Sequence, residues 1–214
     1  MRTILLFLII HFTVLFGTIA TAQQKTQRTW QTGYYYDLNG NRFTGWITRE
    51  QDIDHNFDEV QNAIFFKTVE NSRGRKIPAD SMKSYVATPD SFVVTHATGM
   101  KTTPFVRVIV DGPVKLYDLK LTLRSQAMPQ VAGSAFVSIP GKSYDKVVYY
   151  YGTGPDDITQ LRRSQFLKEM TEIFSQEPAL LDEIKYQEYN YDNMDDILSH
   201  YFWYKRHEKA AKKQ

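Results

Sequence analysis

The sequence predicts an α+β fold. An antiparallel β-sheet, laid down as a meander of hairpins, spans residues 30–154, and two to three helices follow within residues 155–214. Three observations carry the prediction. Asn39-Gly40 separates two strand-like runs, 33–38 and 41–48, and this dipeptide suits the paired positive-φ positions of a type I′ hairpin turn. Residues 105–111 and 114–120 alternate with period two around Gly112-Pro113, with Val106, Val108 and Val110 on one face and Phe105, Arg107 and Ile109 on the other. From Phe166 the period changes, because Phe166, Leu167, Met170, Ile173 and Phe174 recur at helical spacing. Strand-like runs that follow one another without intervening helical patterns indicate an antiparallel sheet rather than strand–helix–strand units.

The N-terminus has a different logic. Met1-Arg2-Thr3 is a short positive start, residues 4–16 are apolar except for His11 and Thr13, and Ala20-Thr21-Ala22 is a small-x-small site. These are the parts of a secretory signal peptide covering 1–22, with a polar leader at 23–29. The competing reading is an uncleaved anchor, but a spanning helix needs about 20 strongly apolar residues and carries no cleavage site. After cleavage no transmembrane span is expected, and export places the protein in the periplasm or outside the cell. The chain has no cysteine, which excludes a disulfide scaffold, a thiol nucleophile, a cysteine–zinc site and a lipid-modified cysteine. A net charge of +2 argues against a dedicated nucleic-acid surface. With 42% hydrophobic and 23% charged residues, the chain is neither disordered nor a multi-span membrane protein.

Further strands are expected at 63–68, 84–87, 91–96, 135–139 and 146–151, with Pro89-Asp90 and Pro140-Gly141-Lys142-Ser143 as turns. Ser164 is the expected N-cap of the first helix, and Pro178 suits the first position of the second. Asn193 is the expected cap of a third helix striped by Met194, Ile197, Leu198, Tyr201 and Phe202. The basic tail from Lys205 to Lys213 reads as a solvated helix end, where cations are favoured, ahead of a contact with anionic lipid or polysaccharide. The helical last quarter leaves no closing strand for an outer-membrane barrel.

These features resemble a group of uncharacterised secreted proteins of Bacteroidota. The matching pieces are the 33–46 hairpin, the Ala-Ile-Phe-Phe-Lys strand at 63–67, the stretch 76–82, the 105–117 hairpin and the helices from 181 to 201. The resemblance implies an envelope location and an α+β arrangement. It supplies no activity and no catalytic residues.

Candidate chemistry is sparse. His200 and His207 lie two turns apart on the last helix, about 10 Å at 1.5 Å per residue, whereas two ligands of one zinc sit on adjacent turns. They read as solvent-exposed helix histidines. Asp37, Asn39 and Asn41 imitate the start of a calcium loop, but its sixth and twelfth positions hold Arg42 and Thr48 instead of Gly and Glu. No metal and no cofactor is therefore assigned. No nucleophile elbow, phosphate loop or dinucleotide motif occurs, and Gly152-Thr153-Gly154-Pro155 lacks the third glycine and the lysine. The acidic clusters Asp156-Asp157 and Asp192, Asp195 and Asp196 adjoin expected helix starts, where acids stabilise the dipole.

The aromatics are the strongest signal. The triplets Tyr34-Tyr35-Tyr36 and Tyr149-Tyr150-Tyr151 must each send one ring to the side opposite the other two. Outward Tyr and Trp rings bury much area at little entropic cost, which suits a protein interface or sugar stacking. The alternative is a Tyr-rich sheet covered by its own helices. Tyr35, Trp46, Tyr150 and Trp203 are the candidate binding residues. The expected function is an exported, non-catalytic envelope protein that binds a protein or surface glycan through an aromatic sheet face. The alternative is a hydrolase of envelope glycans, which requires two or more of Asp37, Glu59, Asp111, Asp118 and Asp156 to converge in a pocket.

Overall fold

The computed structural model describes residues 29–49, 58–59, 62–98, 100, 103–124, 128–132, 135–139 and 143–211. The signal segment 1–22, His55, the Pro140-Gly141-Lys142 turn and the last two lysines lie outside them. Thirteen strands are described: β1 (Gln31–Asp37), β2 (Arg42–Arg49), β3 (Asp58–Glu59), β4 (Ala63–Lys67), β5 (Arg75–Pro78), β6 (Met82–Ala87), β7 (Asp90–Val94), β8 (Phe105–Val110), β9 (Lys115–Arg124), β10 (Met128–Ala132), β11 (Ala135–Ile139), β12 (Ser143–Gly154) and β13 (Asp157–Gln160). Helices α1 (Phe166–Ile173), α2 (Pro178–Tyr186) and α3 (Met194–Ala211) follow. The architecture is α+β, as the change of period predicts.

The main sheet is antiparallel and runs β13-β12-β9-β8-β7-β6-β1-β2-β4-β5, while β10 and β11 pair separately. β3 lies off this path and pairs with β9 at Asp58↔Leu123 and Glu59↔Thr122. That pairing bends the sheet. From β9 to β4 the path crosses six strand spacings, about 29 Å if flat. The four steps from Glu59 to Ala63 reach at most about 14 Å, so the sheet curls to bring β4 toward β9.

Opposed residues share a face, and faces alternate along a strand. One face carries Tyr35, Ile47, Ile64, Phe66, Tyr85, Phe92 and Phe105, which form one buried cluster. Farther along the same face, Val110, Leu116 and Tyr149 pack with Leu161 under the helix residues Met170, Phe174, Leu180, Ile184 and Ile197. We call this the helix-side face. The far face carries a smaller cluster of Val106, Tyr117 and Leu119.

Several local expectations are corrected. The first hairpin does not close through a type I′ turn, because Gly40 alone has a positive φ, 85°, and Asn39 does not. The Asp37 carboxylate accepts the backbone N–H groups of Asn39 and Asn41 at 2.9 and 2.8 Å, and Gly40 N–H donates to Asp37 O. An Asp at the first corner with Gly in the left-handed position is the three-residue hairpin loop. In the second hairpin the register shifts between Val108 and Val110, so Val110 joins Leu116 on the helix side while Val106 and Val108 stay on the far face. Asp157 begins β13 instead of adjoining a helix start, so the sheet extends past residue 154 to Gln160.

At the helices, Ser164 sits inside a 3₁₀ turn (Arg163–Gln165), and α1 begins at Phe166 without a side-chain cap. The buried Glu169 carboxylate instead reaches back to accept Arg162 N–H at 2.7 Å and Nε–H at 3.3 Å. Pro178 does open α2. Asn190 rather than Asn193 caps the turn before α3, in a reciprocal box where Asn193 accepts the Asn190 N–H.

Candidate functional site

The first Tyr triplet divides oppositely to the expectation that Tyr35 is a binding ring. Tyr35 faces Phe43 and Tyr85 across its neighbours and is 3% exposed. It stacks on Phe43 at 4.9 Å, meets Phe66 edge-on at 5.0 Å, and accepts an Arg75 Nη2 hydrogen bond at 2.9 Å. Period two allows either phase. The buried Tyr85 and Phe92 on the neighbouring strands draw Tyr35 inward, because only that phase joins their cluster.

Tyr34 and Tyr36 therefore take the far face, with Trp46 diagonally opposite through the Thr32↔Trp46 and Tyr34↔Thr44 pairs. All three rings are half-buried. Tyr34 and Tyr36 contact each other edge-on at 5.6 Å. The Arg42 guanidinium lies 3.8 Å over the Tyr34 ring, and Lys67 Nζ lies 4.2 Å over Trp30. Trp30 rests on the bare backbone of Gly74, where an added Cβ would meet Cη2 at 2.3 Å. Thr32 and Thr44 are exposed among these groups. The β1–β2–β4 end of the far face thus displays Trp30, Tyr34, Tyr36 and Trp46, two of them capped by cations. Trp30 and the two outer tyrosines went unselected because alternation names two faces without ranking them.

The remaining selected residues lie elsewhere. Tyr150 shares the far face but packs, half-buried, against the Val106–Tyr117–Leu119 cluster six strand spacings from Trp46. Its neighbour Tyr149 is buried under the helices, as a helix-covered sheet requires. Burial chiefly, with nearby carboxylates adding, pushes the Tyr149 phenol up to about 12. Trp203 is 48% exposed on α3, on the helix side of the sheet. So Trp46 alone among the four belongs to the aromatic end.

Trp203 lines a cleft of about 440 Å³ with Glu183, Ser199, His200, Tyr204 and Arg206. His200, expected to be exposed, is half-buried there, and its Nδ1 lies 2.5 Å from Glu183 Oε1. Glu183 also accepts from Gln187 Nε2 at 3.1 Å and Tyr204 OH at 3.4 Å. This carboxylate raises the Tyr204 phenol above its ordinary value through its charge, with burial and the hydrogen bond adding. With three donors on one carboxylate, the group clasps α2 to α3. His207 is exposed and stacks on Trp203 at 3.9 Å, away from His200's partner. Among the described residues, no three His, Asp or Glu side chains gather as metal ligands.

The candidate carboxylates disperse. Asp37 closes the first hairpin, and the hydrogen bond from the Asn41 side chain, followed by backbone donors, holds it below the ordinary Asp value. Asp111 pairs with Lys115. Asp118 is gripped by Arg107, whose Nε donates to Oδ1 at 3.0 Å. Asp156 meets His96 at 3.2 Å. No two of these four share a partner, and none lines the cleft between α2 and α3. The Glu59 side chain lies outside the described residues.

No family model, no curated protein and no solved structure matches this chain. No described helix is long and apolar enough to cross a membrane.

Proposed function

We propose that the chain is an exported, non-catalytic envelope protein that binds a surface component through the far face of its sheet at the β1–β2–β4 end. The observation that carries the reading is the grouping of Trp30, Tyr34, Tyr36 and Trp46 on one half-exposed face. The signal-like N-terminus and the resemblance to secreted envelope proteins support the location. The dispersal of the four described candidate carboxylates into separate structural contacts supports a binding role over hydrolysis.

The test is recovery of cross-linked envelope material by the tagged full chain, compared with Tyr34→Ala, Trp46→Ala and Trp203→Ala. Loss of recovery in the first two, with Trp203→Ala unchanged and all three folded, is the expected result. Recovery that survives both sheet substitutions, or is lost only in Trp203→Ala, overturns the reading.

A further inference from the structure

At the β5–β4–β2–β1 end of the sheet the two faces differ in charge. On the helix-side face, three cations pair with carboxylates, Arg49 with Asp90 at 3.7 Å, Arg107 with Asp90 at 3.5 Å and with Asp118, and Lys120 with Asp145 at 2.7 Å, while Arg75 donates to Tyr35 OH. On the far face, the pairing registers of β5, β4, β2, β1, β7 and β8 place Arg42, Lys67 and Lys76 and no carboxylate among the described residues. A face whose fixed charges are of one sign attracts the opposite sign and rejects its own.

Rings, and for Lys67 also the Glu70 carbonyl oxygen, hold Arg42 and Lys67 in place. Arg42 is stacked on Tyr34 and Lys67 sits over Trp30. Such contacts hold a flexible cation in place. A guanidinium stacked by one face keeps its N–H edge in the plane for a carboxylate. Arg42 and Lys67 are separated by four residues along β2 and one strand spacing, about 14 Å. The ligand that engages both is therefore a chain carrying repeated negative charge, longer than one sugar or one amino acid.

Resting on the reading that this face is the binding face, we propose that its ligand is an acidic glycan, a polymer of carboxylate-bearing sugars. A protein interface needs a desolvated apolar centre. Here cations cover two of the ring faces, and exposed Thr32 and Thr44 hydroxyls lie between them. That surface of hydroxyl donors, fixed cations and the half-buried indole of Trp46 matches sugar hydroxyls, carboxylates and a ring face.

The test titrates the full chain with oligogalacturonates of one to ten units, a neutral glucan of matched length and a poly-glutamate peptide, by calorimetry at low and moderate salt. Binding that appears only for the longer uronates, weakens with salt, and exceeds the neutral glucan and the peptide by at least tenfold is the expected result. The double variant Arg42→Gln/Lys67→Gln, checked for an unchanged circular dichroism spectrum and thermal midpoint, should then lose at least tenfold. If the double variant is not folded, Arg42→Lys alone should weaken binding severalfold, because an ammonium keeps the charge without the fork. Equal binding of the neutral glucan overturns the acidic preference. Peptide binding as tight as the uronate's assigns the face to an acidic protein, and no uronate binding at low salt removes the proposal. If uronate binding is absent while Trp46→Ala still abolishes envelope recovery, the acidic-glycan proposal falls and the binding-face reading stands; if both are negative, both fall.

Discussion

Adjacent tyrosines of one strand should respond oppositely to the same substitution. Tyr35 is 3% exposed, stacked on Phe43, edge-on to Phe66 and hydrogen-bonded by Arg75. Tyr35→Ala removes a ring from the buried cluster that holds Ile47, Phe66 and Tyr85, beside Phe43, which is 37% exposed. Large aromatic-to-alanine deletions in cores cost about 3–5 kcal/mol. That is a large part of the roughly 5–15 kcal/mol by which domains are stable. Tyr35→Phe keeps the ring and loses one bond to a mostly exposed Arg75, about 0.5–1.5 kcal/mol. Tyr34→Ala, one residue away, loses an edge contact with Tyr36 and a cation contact with Arg42 on a half-exposed face, together about 1–2 kcal/mol. The assay is urea unfolding followed by intrinsic fluorescence, with the midpoint and slope fitted separately. The order Tyr35→Ala, then Tyr34→Ala, then Tyr35→Phe, with a gap of about 2 kcal/mol or more between the two alanine variants, supports the assigned phase. Equal losses at 34 and 35, or a larger loss at 34, would refute it.

Three other expectations follow from the packing and the titrating groups. Leu116→Ala and Ile197→Ala, from the sheet and the helix sides of one cluster, should each cost about 2–5 kcal/mol. A double variant short of their sum, measured by the same unfolding assay, will report that they share a cavity. The Arg163 guanidinium holds Asp192 below the ordinary Asp value through a two-pronged contact at 2.5 and 2.6 Å. A lowered folded value means this contribution is complete above about pH 4 and disappears as pH falls through the native titration. A carbon-detected titration should find the Asp192 midpoint raised in Arg163→Gln. At the alkaline end, burial pushes Tyr117 and Tyr149 up to about 12. The unfolded phenols ionise near 10, so stability should be level below about pH 10 and fall as pH rises toward 12. Tyr117→Phe should flatten that fall. It should also be neutral or stabilising by about 1 kcal/mol at pH 7, because the buried hydroxyl has no hydrogen-bond partner among the described residues.

Local chemistry made much of the fold legible. Asn39-Gly40 and Gly112-Pro113 place two turns that occur where expected, although the first closes as a three-residue loop because the Asp37 carboxylate captures two amides within it. Of the two helical stripes, Phe166, Met170, Ile173 and Phe174 and then Met194, Ile197, Leu198 and Tyr201 lie in the cluster under the helices, while Leu167 and Phe202 are exposed. Strands without a hydrophobic pattern escaped the same logic. β5 is Arg-Lys-Ile-Pro at a sheet edge and β13 is Asp-Ile-Thr-Gln at the other. Edge strands carry charge and proline that discourage pairing with other chains, so they read as loops.

The sequence by itself determined the order and period of the strongly patterned elements and the existence of outward rings. Tertiary structure decided which rings those are. Alternation supplies a period but no phase, and the phase of β1 depends on Tyr85 and Phe92, some fifty residues away in the chain. One extra residue in β8 reverses the direction of Val110 without altering its chemistry. The pairings of Arg107 with Asp118 and of Arg163 with Asp192 likewise arise only when strands and turns dock. The gathering of Arg42, Lys67 and Lys76 on one face at the β5–β4–β2 end is a property of the assembled sheet. It depends on strand register, which is set by the burial of side chains that are distant in sequence.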